Sequence, residues 1–310
     1  MINKPTIIDT DPGIDDALAL TTALFNENLD VQLITTVPGN VNVELTTKNA
    51  LQLVEYLGVD VPVSKGADAP LLVELEDASK YHGETGLDGF DFQTLKQKPL
   101  AKNGIQVMAE TILANEENTL IFALGPLTNI ALLINAFPEV KEKIDQIIIM
   151  GGSLTHGNTT SAAEFNIYSD PHAAEMVFQS GLKLSMFGLN VTYEAVLQKN
   201  NIEKIKDMGD LGDMLYSILE HYRGGSFETG LRLHDTCTIA YFDDPSLFET
   251  EEMLINVQTE GMARGATVVD IENKASEANV TVAVGVDNDR FQEWLVNSLQ
   301  HAADKLSKTS

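Results

Sequence analysis

Apolar residues arrive along this chain in short strand-length runs, and between them lie stretches in which they recur every three or four positions. The first runs are 6–9 and 31–37, and the helical periodicity covers 15–26 and 43–57, which is the alternation of a βαβ unit. It continues with strands expected at 119–124, 146–150 and 183–187 and helices at 104–114, 128–136 and 171–179. Strand runs that are apolar throughout suit a sheet covered on both faces. The pattern therefore predicts an α/β protein of a single domain, 1–310, with a mostly parallel, doubly wound, Rossmann-like central sheet flanked by helices.

Two regions depart from this rhythm. Residues 68–99 are rich in Gly, Asp and Lys with weak periodicity, and read as a long loop excursion near the site. Beyond residue 189 the alternation loosens, with a helix expected at 213–222, strands at 267–271 and 279–286, and a last helix at 289–305 ending in a frayed tail, 305–310.

Charge narrows the choice of ligand. With 46 acidic and 20 basic residues the formal charge is −26, which disfavours nucleic acid and anionic membranes as partners and favours a neutral or cationic ligand or a metal. The single cysteine, Cys237, can close no internal disulfide and reads as a small buried hydrophobe. No targeting segment or membrane-length apolar run is evident, so the cytoplasm is the expected compartment.

The first strand runs into Asp9-Thr10-Asp11-Pro12-Gly13-Ile14-Asp15-Asp16, four acids in eight residues at a strand-to-helix turn. Singly, these residues fit helix capping: Asp11 before a Pro at the first helical position, and Asp15 and Asp16 at the positive end of the helix dipole. Together they repel one another and resist desolvation unless a cation compensates. An oxygen-only ligand set without nearby Cys or His suits calcium or magnesium.

Ligands of doubly wound sheets sit beyond the carboxyl ends of the strands. Here those ends read Pro38-Gly39-Asn40, Leu124-Gly125-Pro126, Met150-Gly151-Gly152 and Gly188-Leu189-Asn190. Gly157-Asn158 and Ala163-Glu164-Phe165-Asn166 follow the third end, a mixture of amide and carboxylate groups suited to hydroxyls. Later, His234-Asp235 places an imidazole beside a carboxylate, as either an N-cap with a surface histidine or a proton-transfer group beside a metal ligand. His156, His172, His221 and His301 read as solvated, whereas His82 lies in the excursion that could fold over the crevice.

These motifs, in this order and over nearly the whole chain, resemble the inosine-uridine-preferring nucleoside hydrolases; residues 221–226 and 230–235 look most like the family's non-specific ribonucleoside hydrolases. The resemblance implies hydrolysis of the N-glycosidic bond of purine and pyrimidine ribonucleosides to free base and ribose, in nucleoside salvage. It implies Ca²⁺ held by Asp11, Asp16, the Leu124 carbonyl and Asp235. It makes Asp11 the general base toward a calcium-bound water and gives His234 the role of assisting the leaving base. Asp15, Asn166 and Asp235 would hold the 2′ and 3′ hydroxyls, Asn158 and Glu164 the 5′ hydroxyl, with Asn40 in support and Met150 alongside. His82, Phe165, Tyr222 and Phe227 would face the base. The family likeness also implies a homo-oligomer, a dimer or tetramer. Asn190 stands where the family more often has Asp, which could alter support around the metal.

Two other readings remain. A calcium-dependent nucleoside- or ribose-binding protein would keep the pocket without turnover. A magnesium-dependent phosphohydrolase would need cationic groups for phosphate, and no Lys or Arg lies near Asp11 in the sequence.

Overall fold

The structure is a computed structural model that describes residues 3–76, 78, 83–270 and 277–308. Six strands open the chain: β1 (Lys4–Thr10), β2 (Leu29–Thr36), β3 (Val63–Lys65), β4 (Thr119–Ala123), β5 (Ile144–Met150) and β6 (Leu184–Phe187). β7 (Val196–Leu197), β8 (Gly225–Ser226) and β9 (Gly230–Arg232) form a small separate sheet. β10 (Phe248–Met253) precedes the hairpin of β11 (Ile255–Val257) and β12 (Thr267–Val269), and β13 (Val280–Val286) follows.

The helices are α1 (Ile14–Leu24), α2 (Val43–Tyr56), α3 (Gly104–Ala114), α4 (Thr128–Ala136), α5 (Phe165–Ser169) and α6 (Pro171–Phe178). They continue with α7 (Leu189–Thr192), α8 (Lys199–Lys206), α9 (Gly209–Leu219), α10 (Thr236–Asp243) and α11 (Asn288–Leu306).

The main sheet has eight strands in the order β10-β13-β6-β5-β4-β1-β2-β3, parallel throughout except for β10, which runs antiparallel to β13. Successive side chains point to opposite faces, and the core divides accordingly. Ile8, Ile34, Phe122 and Ile148 pack on one face with α1, α2 and α8 to α11, while Ile7, Leu33, Ile121 and Ile147 pack on the other with α3, α4 and α6. Each fully buried aliphatic contributes roughly 1.5–3 kcal/mol, so the two faces together fix the sheet between its helical layers.

The expected elements stand within a few residues of their places, but β3, β10 and one helix differ from expectation. β3 is only three residues long. β10 reads Phe-Glu-Thr-Glu-Glu-Met, too acidic to announce a strand, because it is an exposed edge where charges discourage pairing with other chains. The helix expected at 213–222 begins instead at Gly209 and ends at Leu219. Among the described residues, no helix is long and apolar enough to cross a membrane.

The register positions the site. Asp9 pairs with Thr35 of β2 and with Ala123 of β4, Ala123 pairs with Ile149 of β5, and Met150 pairs with Phe187 of β6. The carboxyl ends of these strands are therefore level, and the order reverses between β1 and β4, where such sheets open a crevice.

Candidate active site

In the turn after β1 Asp11 is not the helix cap, while Asp15 and Asp16 stand in the first helical turn, at the positive end of the dipole. α1 starts at Ile14 with Gly13 as its cap, and Asp16 reaches back so that its Oδ2 accepts the Gly13 N–H at 2.9 Å. The Thr10 hydroxyl donates to the other Asp16 oxygen, and the Asn40 amide donates to Oδ2 at 3.1 Å. The same amide donates to the Asp11 carbonyl at 3.0 Å, and the Asn40 N–H donates to Asp11 Oδ2 at 2.7 Å. Gly39 and Gly125 close on the Asp11 carboxylate from two sides, where a Cβ on either would collide with it. Asp9 faces away from this centre, accepting from Thr35 at 2.5 Å and Asn129 at 2.7 Å, with burial raising its pKa to about 7.

Asp15, Asp16 and Asp235 bring carboxylate oxygens within 4.8 Å of one another, and all three are buried. Asp235 occupies the cap position of α10, yet its side chain makes no capping bond and turns to this cluster instead. Asp11 lies outside that trio but close enough to feel it: burial first, then the Asp16 charge, hold its carboxyl well above the usual range. Burial, then Asp16, Asp15 and Asp11, do the same to Asp235. Burial raises Asp15 to about 6, against the lowering effect of hydrogen bonds that include the Tyr222 hydroxyl and the His234 backbone. Crowded, desolvated carboxylates of this kind fit a hard divalent cation, which relieves both the repulsion and the loss of water.

The cavity over this floor has a volume of 310 Å³. One wall is stapled by Asn166, whose amide donates to the Leu124 carbonyl at 2.8 Å and the Met150 carbonyl at 3.0 Å, tying the ends of β4 and β5 together. Glu164 caps α5, accepting N–H groups of Gly152, Asn166 and Ile167 at 2.9, 2.9 and 3.1 Å, while burial pushes its pKa up to about 7. Asn158 and Phe165 complete this side.

The opposite wall comes from residues 193–235. Tyr222 is buried and bonded to Asp15, which together with burial drives its hydroxyl well above its ordinary pKa. His234 Nδ1 lies 2.8 Å from the Thr192 hydroxyl, and its ring meets Tyr193 edge-on with centroids 5.7 Å apart. This interaction orients the imidazole toward the cavity that both rings line.

The structure thus gathers Asp11, Asp15, Asn40, Leu124, Met150, Asn158, Glu164, Phe165, Asn166, Tyr222, His234 and Asp235 around one cavity, with Asp16 buried beneath. Phe227 is not among the lining residues; its ring packs edge-on against Tyr216, 5.3 Å away, as a hydrophobic prop. His82 lies outside the described residues. Asn190 does not support the carboxylates; its amide bridges the Leu154 N–H at 3.2 Å and the Ala283 carbonyl at 2.9 Å, holding the loop that leads to Asn158. His172 is half-buried, with an Nδ1 that has no hydrogen-bond partner among the described residues, rather than solvated.

Sequence reasoning missed Tyr193, Arg223 and Arg232, all of which line the cavity. Tyr193 could have been found, since it follows the Gly188-Leu189-Asn190 strand end. The arginines also correct the picture of a site without cations, which considered only neighbours of Asp11 along the chain.

The doubly wound α/β sheet bears a carboxylate-floored, amide-walled crevice at its switch point, and the comparisons place the chain among hydrolases that act on N-glycosyl bonds. The family model described as inosine-uridine preferring nucleoside hydrolase matches residues 6–293, and the chain belongs to that family. It is 46% identical over 298 residues to the non-specific ribonucleoside hydrolase RihC of Salmonella paratyphi B, covering 96% of this chain and 97% of that one. The RihC of Klebsiella pneumoniae is 47% identical over 292 residues, covering 94% and 96%. Among solved structures, the plant nucleoside hydrolase PpNRh1 superposes with a TM-score of 0.89 at 35% identity, covering 96% of this chain and 99% of that one. The purine-preferring ribonucleoside hydrolase from Gardnerella vaginalis gives 0.90 at 30% identity, covering 99% and 100%.

Proposed function

We propose that this enzyme hydrolyses purine and pyrimidine ribonucleosides to free base and ribose, with calcium as its metal. The observation that carries the reading is the single cavity in which buried Asp11, Asp15 and Asp235 face Asn166, Glu164 and His234. Asp16 and Asp235, which with Asp15 form the clustered trio, would hold the ion together with Asp11 and the Leu124 carbonyl, as the family likeness implies. Calcium, when bound, supplies a hard positive charge that gathers oxygen ligands and makes water easier to deprotonate.

Asp11, held by Asn40, accepts the proton of the attacking water. The 2′ and 3′ hydroxyls of the ribose bind Asp15, Asn166 and Asp235, and the 5′ hydroxyl binds Asn158 and Glu164, with Met150 beside the ring. The surrounding carboxylates stabilise positive charge as it develops on the sugar. His234, positioned by Thr192 and Tyr193, donates a proton to the departing base, a contribution worth about 10²–10⁴ in rate, while Phe165 and Tyr222 line its pocket. The same reading gives a salvage role and a homo-oligomer of two or four chains, supported by the family likeness, in the cytoplasm that the sequence leads one to expect.

The test incubates purified protein with inosine, uridine, adenosine and cytidine in phosphate-free buffer and measures free base and reducing sugar, before chelation, after it, and with calcium restored. Release that chelation abolishes and calcium returns is expected. No reducing sugar from any of the four would overturn the reading, and equal release after chelation would overturn the metal assignment.

A further inference from the structure

The cavity carries charge of both signs. Its floor holds Asp11, Asp15 and Asp235, and its other lining includes Glu164, Arg223 and Arg232. The chain contains only four arginines against 46 acidic residues, so two of the four at one cavity concentrate positive charge where the surrounding field is negative. Both stand on the stem of one ribbon: Arg223 just precedes β8, Arg232 ends β9, and the Arg232 N–H donates to the Gly224 carbonyl at 3.2 Å. The Arg232 guanidinium lies 4.5 Å over the Tyr193 ring, whose edge meets His234. Arg223 directly follows Tyr222, whose hydroxyl bonds Asp15. Arg232 is thus tied through Tyr193 to His234, and Arg223 lies on the other side of the same ribbon stem.

Hydrolysis breaks the C1′–N bond and leaves its electron pair on the base, while the water oxygen forms a new bond to C1′. Positive charge develops on the sugar, beside the acids, while the electron pair left on the base is taken up in part by the His234 proton and in part by the carbonyl oxygens conjugated with the departing nitrogen. A guanidinium presents donors and no acceptor. It therefore matches a base edge made of carbonyl oxygens, where much of the departing charge resides, and mismatches an edge that presents an exocyclic amino group. We propose that Arg223 and Arg232 are specificity-determining residues that read the carbonyl edge of the leaving base and select oxo-substituted over amino-substituted nucleosides. This assignment rests on the ribonucleoside hydrolase reading and deepens it.

The experiment measures kcat/KM of the metal-loaded enzyme for inosine, uridine, adenosine and cytidine in the unaltered protein and in Arg223→Gln, Arg232→Gln, Arg232→Lys and the double Gln variant. The unaltered enzyme should favour inosine over adenosine and uridine over cytidine. The double variant should lose about tenfold or more on inosine and uridine and less than about threefold on adenosine and cytidine, with Arg232→Lys between, since charge without the planar fork retains part of the contact. Equal losses on all four would mean that the arginines only brace the ribbon, and unchanged ratios would mean that they do not read the base; either overturns the assignment. Should Arg232→Gln fail to fold, Arg223→Gln and Arg232→Lys decide the matter from the ratios alone. An unaltered enzyme active on all four without preference defeats this inference only, whereas one active on none defeats the parent reading.

Discussion

The floor of the cavity begins with residues 11–16, laid down in consecutive positions at one strand end, whereas its far wall is assembled from residues 193, 222–224, 232 and 234 on different elements. The floor is held by backbone: strand register, the Asn40 N–H on Asp11 and the Gly13 N–H on Asp16. The far wall is held by rings and a short ribbon, Tyr193 against His234 and Arg232 over Tyr193. A part fixed by backbone admits little adjustment, so it suits chemistry common to every substrate. A part fixed by side-chain contacts can be repacked, and suits the portion of the ligand that differs between substrates.

If that division holds, floor substitutions should lower turnover alike for all nucleosides, and far-wall substitutions should change ratios. The largest effect is expected for Asp11→Asn, which keeps the shape and removes the base: kcat should fall by about 10²–10⁴ for every nucleoside, with unfolding temperature nearly unchanged. A loss confined to some bases would break the comparison. Gly39→Ala should come next, because its methyl group displaces the Asp11 carboxylate; a drop of about 10²-fold, uniform across substrates, is expected from base-release assays. His234→Ala should lower purine nucleoside rates by about 10²-fold and pyrimidine rates less, and equal losses would move this residue into the common machinery. The smallest effect concerns Cys237, buried beside this wall. Burial pushes its thiol far above the ordinary range, so it should resist alkylation at pH 8 until the protein is unfolded, as intact mass will show.

The same division explains what could be read from the chain. The sheet was legible because Ile7-Ile8 and Ile147-Ile148-Ile149 serve both faces and leave uninterrupted apolar runs. The acidic turn was legible because buried like charges in one short segment have few bland explanations. β10 was not, since its outward positions are glutamates. Arg223 and Arg232 were not, because folding across about two hundred positions of sequence brings them to the cavity that Asp11 also lines. Phe227 illustrates the converse: an aromatic near a site in sequence that folding assigns to packing on Tyr216.

The two glycines that press on Asp11 have a further consequence. With Gly39 and Gly125 against its oxygens and Asn40 bonded to it, this carboxylate has almost no rotameric choice left. The freedom is surrendered once, when the chain folds, rather than at each catalytic cycle. Such a group meets every incoming molecule in the same posture, so the enzyme's tempo should depend on how ligands enter and leave rather than on any search by its own base.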